Sequence, residues 1–157
     1  MSHTMPEACA VEPEERIEAQ ELENRKESAP RKTRQGKRNK ELGRRGEEAA
    51  ARFLDRRGYD IIARNWKCAV GEADIIARDG SSLVFVEVKT RTDCQKGFPS
   101  EAVTPTKREK YEKIACMFLA EYDTVDISVR FDVVSIVVVA PDRAFIRHNI
   151  NAYSAAM

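Results

Sequence analysis

Two ionisable side chains sit where such groups are costly. Leu83-Val84-Phe85-Val86-Glu87-Val88-Lys89 has the β-branched and aromatic make-up of a strand, and Asp79-Gly80-Ser81-Ser82 before it reads as a turn. Alternation puts Leu83, Phe85, Glu87 and Lys89 on one face and Val84, Val86 and Val88 on the other. Both faces begin apolar, as expected of a strand covered on both sides. An acid and a lysine in such a strand cost free energy unless they are paired or bind a metal. Glu87 and Lys89 are therefore candidates for chemistry.

A partner for Glu87 lies upstream. Gly71 to Arg78 reads as a strand with a polar start, joined to the first by the turn. If all four residues Asp79 to Ser82 form the loop, Arg78 pairs with Leu83 and Asp74 lies directly opposite Glu87. Cross-strand Cβ atoms are roughly 4.5–5.5 Å apart, so the two carboxylates would repel. A two-residue loop is expected to shift the pairing by two and keep both acids on one face; a three-residue loop would separate them. Converging carboxylates suit a hard divalent cation such as Mg²⁺ (or Mn²⁺), with water and substrate phosphate completing its shell. Lys89 would stand beside that metal, placed to orient or deprotonate water or to stabilise charge on a phosphate. The Val88 carbonyl, between acid and lysine, is a plausible further metal ligand.

The elements that would hold these groups follow from periodicity. From Leu42, small or apolar residues recur at Gly46, Ala49, Ala50, Phe53 and Leu54, a helical spacing that Gly58 should end. Glu47 borders that buried stripe and could supply a third carboxylate; Glu48 falls on the charged side with Arg44, Arg45, Arg52 and Asp55. The alternative is that both are exposed acids bridging to the arginines. Tyr59 to Trp66 reads as a first strand. Thr104-Pro105 is a cap and first-turn proline opening a helix to about Tyr122, with Tyr111, Ile114, Ala115, Phe118, Leu119 and Tyr122 buried. Val129 to Val139 is an apolar strand interrupted by Asp132, and Ala144 to Ile150 a last strand. The order α-β-β-β-α-β-β predicts an α/β sandwich, a mixed central β-sheet flanked by helices.

Composition sets the outer limits. The chain has 157 residues, enough for one domain with a real core. Residues 1–37 carry few large apolar side chains and read as a charged, disordered tail before a folded domain at 38–157, with folding expected to begin near Asn39. A third of the residues are charged (34%), but the formal net charge is only +1 because an acidic stretch, Glu7 to Glu27, precedes a basic one, Arg31 to Arg45. Such a basic run can neutralise phosphates or can simply be solvated. The four cysteines form no C-x-x-C pattern, which argues against zinc and for a reducing, cytoplasmic compartment. His148 reads as a surface or strand-end residue. No apolar run is long enough to span a membrane, and no signal-peptide pattern opens the chain.

Asp74 followed after a hairpin by Glu87-Val88-Lys89 resembles the PD-(D/E)xK motif of restriction-endonuclease-like nucleases, with Ala73 in place of the proline. The surrounding Gly46-Glu47-x-x-Ala50-x-x-x-Leu54, Arg64-Asn65-Trp66, Gly71-Glu72-Ala73-Asp74-Ile75-Ile76-Ala77, Glu87-Val88-Lys89-Thr90-Arg91 and Ala102-Val103-Thr104-x-x-Lys107 closely resemble the bacterial YraN-type family, from about Asn39 to Tyr153. That family usually has a larger aliphatic residue at the position of Ala73. The resemblance implies a restriction-endonuclease-like α/β sandwich near archaeal Holliday-junction resolvases. It also implies Glu47, Asp74 and Glu87 as metal ligands and Lys89 as the catalytic lysine; Glu72, two residues from Asp74 on the same face, is a candidate auxiliary acid. Arg44, Arg45, Arg91, Lys107, Arg108 and Lys110 would then be available to DNA phosphates.

The function expected is Mg²⁺-dependent endonucleolytic hydrolysis of DNA, at branched or damaged sites. The competing expectations are a nucleic-acid-binding accessory on the same fold with little turnover, and an interaction module for DNA uptake or repair that uses the tail as its partner-binding arm. Junction cleavage would favour a homodimer, since two nicks need two sites.

Overall fold

The computed structural model describes residues 31–98, 104–123 and 126–153. The chain divides into two compact units, Met1–Arg38 and Asn39–Met157. Most of the expected tail, residues 1–30, lies outside the described residues. Helix α1 runs Arg31–Arg56, so it begins well ahead of the expected start near Asn39. The physical reason is that lysine, arginine and glutamine are good helix formers whether or not anything is buried. Apolar periodicity marks only the part that packs.

The end of α1 is set as glycine usage predicts. Gly58 adopts φ 87°, its N–H donates to the Asp55 carbonyl at 2.9 Å, and the Tyr59 N–H donates to the Leu54 carbonyl at 3.1 Å. This paired closure satisfies carbonyls of the last turn and folds Tyr59 back toward Leu54 in the core.

Five strands follow in the described residues: β1 (Asp60–Lys67), β2 (Glu72–Asp79), β3 (Ser82–Arg91), β4 (Ser128–Ala140) and β5 (Arg143–Asn149). Their order in the sheet is their order in the chain. Neighbours are antiparallel except β3 and β4, which run parallel across the helix α2 (Pro105–Glu121). Parallel neighbours need such a crossover because the chain must return to the same end of the sheet.

Each sheet face has its own helix. Ala50, Ala51 and Leu54 of α1 pack with Val84, Val86, Val134 and Ile136. Ile114, Ala115 and Phe118 of α2 pack with Ile76, Leu83 and Phe85. Burying each large aliphatic or aromatic side chain contributes about 1.5–3 kcal/mol, so the two layers carry most of the stability. This is the restriction-endonuclease-like α/β sandwich that the sequence predicts, and it explains why both faces of β3 start apolar. Thr104 caps α2 as expected, its Oγ1 accepting the Lys107 N–H at 3.3 Å with Pro105 at the first position.

The hairpin between β2 and β3 corrects one expectation. Asp79 pairs with Ser82, leaving only Gly80 and Ser81 in the turn, with Gly80 at φ 57°. The shorter loop does not slide the strands, because Asp79 and Ser82 simply extend the ladder and Arg78 still faces Leu83. The expected register therefore holds from the turn as far as Ile75 and Val86.

Candidate active site at the fork of the hairpin

The β2–β3 ladder pairs residues as far as Ile75 with Val86. One step further, where Asp74 comes level with Glu87, a side chain replaces the backbone partner. The Val88 N–H donates to Asp74 Oδ2 at 2.8 Å. The strands fork there, and the fork is lined by acids. Burial pushes the Asp74 carboxyl up to about 6, against the Val88 N–H, which favours the charged form; the negative charges of Glu47, Glu87 and Glu72 add to the rise. Three further carboxylates are thus felt at Asp74, from α1, β2 and β3.

Glu47 reaches this neighbourhood because of the residue before it. Gly46 is buried, and a Cβ there would lie 1.9 Å from Thr90 Oγ1 and 2.9 Å from Thr90 Cβ. Glycine therefore allows the α1 backbone to press onto β3 beside the fork. Glu48 instead faces the charged side, bridging to Arg52 at 2.5 Å and to Arg44 at 3.7 Å.

Glu87 is fully engaged. Its Oε1 accepts from Lys107 Nζ at 2.5 Å, its Oε2 accepts from the Tyr153 hydroxyl, and its side chain is only 14% exposed. Tyr111 lies against Tyr153, ring centroids 5.2 Å apart. Burial, and then the charge of Glu87, raise both phenols well above their usual range, so Tyr153 remains a donor. Sequence reading missed Tyr111 and Tyr153 as neighbours of the site, because nothing local ties a C-terminal tyrosine to Glu87. The capped start of α2 was the available signal for Lys107.

The expected basic contacts are found mostly in pairs within the chain. Lys107 is on Glu87, Arg108 on Glu112 at 3.0 Å and Arg44 on Glu41 at 2.7 Å. Arg45 reaches the Pro141 carbonyl at 3.5 Å. The Lys110 stem covers Gly71, where a Cβ would come within 2.6 Å of Lys110 Cε. Lys89 and Arg91 continue the Glu87 face of β3, partly buried.

A second charged centre lies outside the expected site. Asp132, in the apolar run of β4, is fully buried and accepts from Arg130 Nε and Nη2 at 3.0 Å each, and from the Asn151 N–H at 2.8 Å. His148 Nε2 lies 2.8 Å from Asp132 Oδ2. This corrects the surface reading of His148: its side chain is 3% exposed and sits among Phe53 and Tyr59, because β5 turns it into the α1 layer to meet Asp132. Arg130 also bridges to Asp79 at 2.9 Å. The signal was the same as for Glu87, an acid inside an apolar strand.

In donor chemistry the fork fits a hard divalent cation: Asp74, Glu87, Glu47 and the Val88 carbonyl offer oxygen only, and the Asp74 carboxyl is raised first by burial and then by the charges of its acidic neighbours. Among the described residues, however, no three histidine, cysteine, aspartate or glutamate side chains are gathered as a ligand set. At Glu87 the Lys107 ammonium neutralises part of that charge.

A sequence model of the family described as "Uncharacterised protein family UPF0102" matches residues 46–136. The chain belongs to this family. It is 48% identical over 118 residues to a UPF0102 protein of Geobacter sulfurreducens, covering 75% of this chain and 92% of the relative. Identity to a UPF0102 protein of Nocardia farcinica is 50% over 107 residues, 68% of this chain and 84% of the relative. A third, from Pelobacter propionicus, is 45% identical over 120 residues, 75% and 86% of the two chains. UPF0102 is the YraN-type family indicated by the motifs. The matched segment takes in Glu47, Asp74, Glu87, Lys89, Lys107 and Asp132, and ends before β5 and Tyr153. Among the described residues, no helix is long and apolar enough to cross a membrane.

Proposed function

We propose that this UPF0102 chain is a Mg²⁺- or Mn²⁺-dependent endonuclease that hydrolyses DNA phosphodiester bonds at branched or damaged sites, in the cytoplasm. The observation that carries the reading is the partly buried Asp74 carboxylate held by the Val88 N–H beside Glu87, its carboxyl raised by burial and by the charges of Glu47, Glu87 and Glu72, with Lys89 two residues beyond Glu87 on the same face. Asp74, Glu87, Glu47 and the Val88 carbonyl would hold the ion, which when bound supplies Lewis acidity at the scissile phosphate. The Val88 N–H fixes the Asp74 carboxylate, and Tyr153 and Lys107 fix that of Glu87. Lys89 stabilises charge developing on the phosphate, a contribution worth about 10²-fold in rate. Arg91 and the cations near the α1 side, Arg44 and Arg45, meet the flanking backbone.

The test is incubation with four-way junction, flap and linear duplex DNA plus Mg²⁺ or Mn²⁺. Cleavage by the wild type, lost in Asp74→Ala and Lys89→Ala, is the expected result. No cleavage of any substrate, together with no metal bound in a titration, removes the reading. Junction cleavage would call for a homodimer, which light scattering reports. The accessory-binder reading draws on Glu87 being occupied at both oxygens. It expects DNA binding that falls steeply with salt and is unchanged by Asp74→Ala.

A further inference from the structure

Away from the fork, the sheet carries a second surface on the same face. The register places Lys89, Ser135 and Arg147 in one row across β3, β4 and β5, and Arg91, Val137 and Phe145 in the next. Both rows continue the face of Glu87, which pairs with Val133 and, through it, Asn149. Helix α2 packs on the other end of this face, over Leu83 and Phe85. At the β5 edge, Phe145 is 61% exposed, the highest among the large apolar side chains of the described residues. Arg147 is exposed as well, and its guanidinium stacks over the Phe98 ring at 4.2 Å from the centroid.

An exposed aromatic on an edge strand could instead pair with a second copy of the chain. Alternation puts Arg143, Phe145 and Arg147 on one face of β5. An antiparallel pairing of two β5 strands centred on Phe145 would set Arg143 of each against Arg147 of the other, and like charges placed opposite each other repel. The same arrangement suits a polyanion whose units also carry flat rings. An aromatic face accepts a base without regard to its identity, while guanidinium groups hold the phosphates on either side.

We propose that β5, with Phe98 beneath Arg147, forms a platform for single-stranded nucleic acid, with Phe145 stacking on a base and Arg147 and Arg91 holding adjacent phosphates. Phe145 lies two strand spacings and four residues from the level of Glu87, about 16 Å at usual sheet dimensions. The platform therefore receives a strand running to or from the fork, which narrows the substrate to DNA with an unpaired arm, such as a flap or an opened branch. This narrowing rests on the nuclease reading; the platform itself does not. The family match ends at Ile136, before β5.

The experiment is fluorescence-anisotropy titration of a labelled oligo-dT with the full chain in EDTA, so that no metal-dependent cleavage intervenes. Phe145→Ala should weaken binding about tenfold, the usual scale for one lost stacking contact. Arg147→Glu should weaken it further and flatten the salt dependence. Phe145→Trp should restore binding, with indole emission quenched as oligo-dT is added. Because Phe145 is exposed, thermal melts should match the wild type and show that the variants fold. Unchanged affinity in Phe145→Ala, absence of oligo-dT binding by the wild type, or a dimer that Phe145→Ala converts to monomer would each overturn the platform. If the variants lose binding while the wild type cleaves no DNA with any divalent ion, the platform stands and the nuclease reading falls.

Discussion

Asp74→Asn tests the electrostatics of the fork without changing its shape. Asn keeps an acceptor for the Val88 N–H, which now meets Asp74 Oδ2 at 2.8 Å, but it carries no charge. The wild-type carboxyl is raised from 3.8 to about 6, chiefly by burial. A carboxyl raised on folding binds more protons in the native than in the unfolded chain between those values, so its contribution to stability falls as pH rises through that window. The full loss is about 3 kcal/mol at 1.36 kcal/mol per pKa unit, reached above pH ~7. Urea unfolding from pH 4 to pH 8 should therefore show Asp74→Asn equal to the wild type near pH 4 and more stable by up to about 3 kcal/mol at neutral pH. Adding Mn²⁺ should stabilise the wild type at neutral pH and close much of the gap, because a cation bound to the native state restores the charge balance. A difference that does not vary with pH, or a variant less stable at pH 7, would refute the view that Asp74 is held charged against a cost.

Three further outcomes follow from packing and pairing. Gly46→Ala should destabilise the chain by about 1–3 kcal/mol in urea unfolding, since the new Cβ collides with the stiff Thr90 side chain, and Thr90→Ala should recover part of the loss. Asp132→Ala should cost about 3–5 kcal/mol by the same measurement, because it leaves the Arg130 guanidinium and the Asn151 N–H without their buried acceptor. Lys107→Met should tighten Mn²⁺ binding about tenfold by calorimetry, on the scale of one charge-assisted hydrogen bond of roughly 1.5 kcal/mol that no longer competes for Glu87 Oε1.

The parts of the molecule visible in the sequence are those governed by local rules. Alternation in β3, the cap at Thr104 and the stop at Gly58 each depend on a few neighbouring residues, and the structure places all three as read. The register leading toward Asp74 and Glu87 was legible as far as Ile75 and Val86, because a hairpin ties register to its turn even when the turn is shorter than supposed. The start of α1 was not, since a solvated helix leaves no apolar stripe. Neither were the contacts of Glu87 with Tyr153 and of Asp132 with His148, which join positions brought together only by the parallel β3–β4 crossover and the final strand. Long-range polar pairs have no period, so an acid in an apolar strand signals that a partner exists without saying where.

The sheet order, identical to the chain order, bears on how the molecule assembles. The hairpin that carries Asp74 and Glu87 closes over a two-residue turn, as the β4–β5 hairpin does, and such short closures cost little entropy. The β3–β4 pairing must wait for α2 to cross, and Tyr153 arrives only with the last segment of chain. Loop length alone predicts that the acids meet early in folding, before the lysine and tyrosine that neutralise and fix Glu87. On that order of assembly, divalent cations in the folding medium should speed collapse by answering negative charge gathered before Lys107 and Tyr153 reach it.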